Sequence, residues 1–150
     1  MGSVRDLAQV LGRADHPSAA SVFVTRNDAL LYDLARVSDA RRKADLSLGP
    51  LEGRVVVIKG NVNLRGLPTT AGSRSFSAPP ARQSAPLVRQ LVDAGALPMG
   101  HANMSEFAFS GLGVNPHFGT PINALDTTLV PGGSSSGCAT AIALGIADLA

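Results

Sequence analysis

The chain has 150 residues, of which 45% are hydrophobic and 16% charged, with no Trp and a formal net charge of +2. That length accommodates one domain with a sizeable core, and the balance of apolar and charged residues excludes the composition of a disordered chain. A single cysteine, Cys138, excludes an internal disulfide framework and a cysteine-based zinc site and fits a reducing compartment.

The arginines are scattered. Their one short cluster, Arg41-Arg42-Lys43, reads as a solvated helix end rather than a nucleic-acid surface. Met1 to Leu11 carries Arg5 and Asp6 and lacks the apolar run of a signal peptide, and Asp6 stands where a myristoylation pattern needs Ser or Thr. No stretch of about eighteen apolar residues could span a bilayer. The expected location is the cytoplasm, with neither membrane nor nucleic acid as partner.

Asn27 and Asp28 can start a helix whose buried face is read as Leu30, Leu31, Leu34, Ala35 and Val37 and which runs to about Ala44. Gly49-Pro50 punctuates the chain, and Val55-Val56-Val57-Ile58 reads as a strand buried on both faces with Lys59 at its C-terminal end. Asn61 to Pro80, rich in Gly, Pro, Ser and Thr, reads as a long loop. Ser84 as N-cap, Pro86 in the first turn, Leu87, Val88, Leu91 and Val92 on one face and Gly95 beyond the end predict a second helix. Ala96 to Met99 is the next expected strand. Strand, helix and strand in this order suggest an α/β layer structure with a largely parallel sheet, in which sites gather at the C-terminal strand ends. Asn103 to Gly133 is again irregular, and Pro131-Gly132-Gly133-Ser134-Ser135-Ser136-Gly137 then leads into an apolar helical segment from Cys138 to Ala150.

Two features can carry chemistry. Lys59 directly follows four β-branched residues; it either reaches solvent or a carboxylate, or it is desolvated enough to act as a base. The Gly-Ser run can cap a helix, bind an anion or present a catalytic serine. It lacks the lysine of a phosphate-binding loop. Cys138, on the first turn of an apolar helix, reads as core rather than as a nucleophile paired with His101 or His117.

Val57-Ile58-Lys59, Gly66-Leu67-Pro68-Thr69-Thr70-Ala71-Gly72-Ser73, Asn103-Met104-Ser105-Glu106-Phe107-Ala108, Asn115-Pro116-His117-Phe118-Gly119-Thr120-Pro121 and Pro131 to Gly137, in this order, resemble the amidase signature family from about Asn27 onward. The resemblance implies an α/β/α fold around a large twisted mixed sheet, present here in part. Residues 1–150 would form the N-terminal part of a single domain. It implies hydrolysis of the C–N bond of a small carboxylic amide, releasing ammonia or an amine, by a Ser, cis-Ser and Lys triad without metal or organic cofactor.

By motif, Lys59 matches the triad lysine and Ser134 the bridging serine, preceded by a cis Gly133-Ser134 peptide. Gly132, Gly133, Ser135 and Ser136 form the supporting loop. Ser110 matches a position that contacts the substrate amide in relatives, while Ala108 and Phe109 line the acyl pocket or pack as ordinary loop residues. The acyl-forming serine of the family lies in a Gly-Thr-Asp-Thr-Gly-Gly-Ser segment expected just past Ala150, so the chain is read as truncated and inactive alone. Gly60 stands where relatives have an acidic residue, His101 where lysine is common and Ala124 where an aromatic is common. A non-catalytic relic or ligand-binding module, and the amide-hydrolysing subunit of a tRNA-dependent amidotransferase, are the alternatives. A homo-oligomer is compatible with the sequence.

Overall fold

The computed structural model describes residues 4–75 and 77–150, with the side chains of residues 4–6 left aside. The reading of Met1 to Leu11 as lacking a signal peptide thus falls, at residues 1–3, outside the described residues. No helix among the described residues is long and apolar enough to cross a membrane.

Helix α1 spans Val4–Ala14 and strand β1 Phe23–Arg26. Helix α2, Asp28–Lys43, starts at Asn27, whose side chain accepts the Leu30 N–H at 3.1 Å and so satisfies one orphan donor of the first turn. Strand β2 is Val55–Lys59, helix α3 Pro86–Asp93, strand β3 Leu97–Ala102 and helix α4 Ser136–Ala143.

The strands form one mixed sheet in the order β1-β3-β2, with β2 parallel and β1 antiparallel to β3. Past α4 the chain returns to the outer edge of β2, where the Val57 N–H donates to the Leu149 carbonyl at 3.0 Å. Gly100 lets β1 and β3 close: a Cβ there would run into the Thr25 carbonyl.

The four β-branched residues of β2 alternate between two apolar cores. Val55 and Val57 join Leu7, Leu11, Leu31, Ala35, Met99 and Ala141 on the side of α1, α2 and α4. Val56 and Ile58 join Leu64, Leu67, Val88 and Ala96 on the side of α3. The result is a three-layer α/β/α arrangement, and the double burial of β2 explains its uninterrupted apolar run.

Several expectations need correction. In α2 the buried residues are Leu31, Ala35 and Ser38, while Leu30 and Val37 are exposed, so the apolar stripe is narrower than the sequence suggests. In α3 Val88 is buried and Leu87 is exposed. Ser84 does not cap α3: the N-cap is Ala85 with no side-chain bond, and the Ser84 hydroxyl instead accepts the Arg65 N–H at 3.0 Å. Strand β3 continues to Ala102, beyond the expected Met99. The apolar segment after the Gly-Ser run is helical only to Ala143, because Gly145 turns with φ of 65° and sends residues 148–149 to the sheet. The basic end of α2 is ion-paired as well as solvated, Arg41 with Glu52 and Arg42 with Asp39.

Candidate active site

Lys59 ends β2 at the carboxyl edge of the parallel pair, opposite Ala102 of β3. Its Nζ donates to Ser134 Oγ at 2.6 Å across a gap of 75 residues. No carboxylate pairs with Lys59 among the described residues. The Gly133-Ser134 peptide is cis.

Backbone hydrogen bonds fix Gly60 in the turn after Lys59. Gly60 donates to the Ala102 carbonyl at 3.1 Å and accepts from the Ala71 N–H at 3.0 Å, and a Cβ on Gly60 would sit 3.0 Å from that same carbonyl oxygen of Ala102. That close backbone approach leaves little room for a side chain at this position.

The Gly-Ser loop enters α4 through similarly close contacts. Gly113 has φ of 80°, and a Cβ there would strike the Gly132 carbonyl; a Cβ on Gly133 would lie 2.6 Å from the Gly113 nitrogen. Glycine is the residue that both positions tolerate. Ser134 accepts the Ser105 N–H at 3.0 Å through its carbonyl, leaving its hydroxyl to Lys59. Ser135 is the N-cap of α4 without a side-chain bond, and Ser136 is buried with no partner for its hydroxyl among the described residues.

The segment expected to meet substrate lies beside this loop. The Ser105 hydroxyl donates to the Ser110 carbonyl at 2.9 Å, and the Ser110 Oγ accepts the Leu112 N–H at 3.2 Å. Ala108 and Phe109 are exposed, Phe109 to 94%, so ordinary loop packing does not account for that ring. Phe107 and Ala108 both take the left-handed conformation, with φ of 51° and 59°. Such strain in non-glycine residues persists where neighbours enforce it, and it gathers at functional sites.

Two buried amides, to which the motifs assign no role, knit the loops together. Asn103 donates to the carbonyls of Ser21 and Gly119 at 2.9 and 2.8 Å and accepts the Met104 N–H. Asn115 donates to the carbonyls of Gly72 and Met104 at 2.8 and 2.7 Å and accepts the N–H groups of His117 and Phe118. Asn followed by Pro and a backbone donor two residues on is the local signal that points to Asn115.

His101 is buried in β3, its Nε2 3.0 Å from the Val62 carbonyl, and burial pushes its imidazole below the ordinary value. Burial raises the Cys138 thiol, against a smaller pull from Lys59, as befits a core residue rather than a nucleophile. Among the described residues, no group of acidic, histidine and cysteine side chains could hold a metal ion. A cavity of about 300 Å³, lined by Leu7, Arg13, Arg54, Val55 and Asp148 among others, opens at the amino end of β2, the other end of the strand from Lys59.

The chain is 42% identical over 133 residues to the A-type subunit of glutamyl-tRNA(Gln) amidotransferase from Symbiobacterium thermophilum, a match that covers 88% of this chain and 27% of that protein. Among solved structures, one from a vestigial protein complex that reveals the evolutionary origins of an s-triazine catabolic enzyme matches with a TM-score of 0.91 and 33% identity, over 98% of this chain and 33% of that one. Native peptide amidase from Stenotrophomonas maltophilia matches with a TM-score of 0.87 and 29% identity, over 98% of this chain and 32% of that one. The chain thus spans 27% to 33% of the length of these relatives. A family model described as Amidase matches residues 4–150, and the chain belongs to the amidase family.

Proposed function

We propose that this chain supplies the base and the bridging hydroxyl of an amide-hydrolysing site. The observation that carries the reading is the 2.6 Å contact of Lys59 Nζ with Ser134 Oγ, with no carboxylate paired to Lys59 among the described residues. Lys59 takes the Ser134 proton as Ser134 takes the proton of an attacking serine hydroxyl. That oxygen then bonds to the amide carbon, the C–N bond breaks, and the same relay returns a proton to the departing nitrogen. Water hydrolyses the resulting ester to the acid.

The attacking serine belongs to the Gly-rich segment that the family resemblance implies and is not among residues 1–150. The chain by itself is therefore expected to leave a fluorophosphonate probe unreacted. Ser110, Ala108 and Phe109 face the substrate in this reading, and Gly132, Gly133, Ser135 and Ser136 hold the bridge in place. The substrate class is a small carboxylic amide.

In a protein where this chain continues through the rest of an amidase domain, Lys59→Ala and Ser134→Ala each lower kcat by about 10²-fold or more. Near-normal turnover in either variant sinks the relay. A second reading, the A-type subunit of an amidotransferase, is favoured by the 42% identity to that protein in Symbiobacterium thermophilum. The fate of the amide nitrogen separates the two: free ammonia supports hydrolysis, and transfer to glutamyl-tRNA(Gln) supports the amidotransferase.

A further inference from the structure

Lys59 and Ser134 lie 75 residues apart in the sequence, and a chain of contacts outside the pair itself joins the segments that carry them. On the lysine side, Gly60 accepts the Ala71 N–H at 3.0 Å. On the serine side, Ser134 accepts the Ser105 N–H at 3.0 Å. Between the two, Phe107 donates to the Ala71 carbonyl at 2.8 Å. The 71–73 segment and the 105–108 turn therefore form the two jaws that carry the lysine end and the serine end.

Glu106 spans these jaws. Its Oε1 accepts the Ser73 hydroxyl at 2.6 Å and lies 3.0 Å from His117 Nε2. The Ser73 hydrogen bond, and after it the His117 ring, hold the Glu106 carboxyl below its ordinary range against an opposing effect of burial. The His117 backbone is anchored by Asn115, which accepts the His117 main-chain N–H at 2.8 Å and ties Gly72 to Met104 at the inner side of the same jaws.

The backbone of both jaws is strained. Ala71, Phe107 and Ala108 all sit at positive φ, 52°, 51° and 59°, a conformation that non-glycine residues keep only where surrounding contacts enforce it. One carboxylate oxygen receiving two donors is a strong, directional tie, because hydrogen bonds to an ionised acceptor are shorter and stronger than neutral ones.

We propose that Glu106 is a positioning residue for the Lys59–Ser134 contact: its carboxylate, gripping Ser73 and His117, locks the 71–73 segment onto the 105–108 turn and thereby sets the distance between lysine and serine. The geometric claim concerns this contact, and its catalytic meaning rests on the relay proposed above.

The chain contains two lysines, Lys43 and Lys59, so lysine labelled with ¹³C and ¹⁵N gives two side-chain signals. Ser134→Ala defines the position of the Lys59 signal when the contact is broken. Glu106→Ala is expected to move the Lys59 signal most of the way to that position while Lys43 stays in place, and Glu106→Gln, which keeps an acceptor oxygen for Ser73, restores most of the original shift. Ser73→Ala reads the same clamp from the other jaw and serves where Glu106→Ala does not fold. In an active protein that includes this chain, the clamp variants lower kcat with KM held.

A Lys59 signal unchanged in Glu106→Ala and Ser73→Ala, but displaced in Ser134→Ala, overturns the inference and leaves the relay standing. A Lys59 signal unchanged in Ser134→Ala removes the contact itself, and both readings fall together.

Discussion

Around β2, four consecutive residues are buried, and every one of them rests against apolar side chains from α1, α2, α3, α4 or the intervening loops. Between Asn103 and Ser136 the fully buried side chains include Asn103, Ser105, Asn115 and Ser136, and the apolar ones at the surface include Phe107, Phe109, Leu112, Leu125 and Leu129. The two regions invert the usual distribution relative to each other. The sheet layers are stabilised by area removed from water, which is additive and tolerant of detail. The loop layer is stabilised by a few buried amides whose hydrogen bonds must all be made at once, because an unpaired buried polar group is costly. A site that must aim one hydroxyl at one amine is better served by the directional kind of cohesion.

The largest expected effect comes from breaking the apolar side. Leu31→Ala empties a fully buried position between α2 and the sheet and should cost about 3 to 4 kcal/mol in urea unfolding, with the slope unchanged. A loss below about 1 kcal/mol would mean that α2 is not packed as described. Its neighbour Leu30, 44% exposed on the same helix, provides the control: Leu30→Ser should stay within about 0.5 kcal/mol.

Next comes the polar side. Asn115→Ala strands two carbonyls and two N–H groups and should cost about 2 to 3 kcal/mol, somewhat less than the leucine. The more telling readout is local. Amide exchange at 71–73 and 103–119 should accelerate before the β2 amides do, whereas Leu31→Ala should accelerate the whole sheet. Uniform acceleration in both variants would abolish the distinction between the two regions.

The contrast also explains what is legible in the amino-acid sequence. Helix α2 and strand β2 can be read directly because their signals are local: Asn27 caps its own helix, and a β-branched run needs no partner to be recognised. Helix α1 carries the same kind of local signal, since Leu7, Leu11 and Ala14 repeat at helical spacing and all three are buried, with Gly12 and Arg13 on its polar side. Strand β1 has four half-buried residues and exists by pairing with the distant β3, as Phe23 does with Ala102 and Thr25 with His101. The end of α4 depends on the chain leaving to join β2, which is again non-local.

In the candidate site, Lys59 and Ser134 are legible through motif. The link between Ser73 and Glu106, 33 residues apart, is not, since nothing local to either residue announces the bond between them.

A smaller effect, and one that depends on pH, tests the seam between α2 and the start of β2. Glu52 accepts two donors from Arg41, at 3.3 and 2.9 Å, and the Leu48 N–H at 2.8 Å. Burial pushes its carboxyl up, but the Arg41 bond and further donors outweigh it and hold the group at about 2, against 4.5 ordinarily. The folded value lies below the unfolded one, so the stabilisation is fully present above pH 4.5 and is lost as the pH falls toward 2. Glu52→Gln should lower the urea midpoint at neutral pH by about 1 kcal/mol equivalent, and the gap from the parent chain should close on acidification. A gap that stays constant between pH 7 and pH 3 would assign the loss to packing instead.

The smallest expected effect on stability is at the site mouth. Phe109 is 94% exposed, so Phe109→Ala removes almost no buried area and should leave the unfolding midpoint within about 0.5 kcal/mol. Such a ring gains burial when something covers it, and under the proposed function an apolar group of the substrate does so. In an active protein that includes this chain, KM for an amide with a bulky apolar acyl group should then rise several-fold in Phe109→Ala, while KM for the shortest acyl amide holds. Equal effects on both substrates would detach Phe109 from substrate contact. A drop in stability beyond about 1 kcal/mol would instead place the ring in the structural half of the comparison, which its exposure argues against.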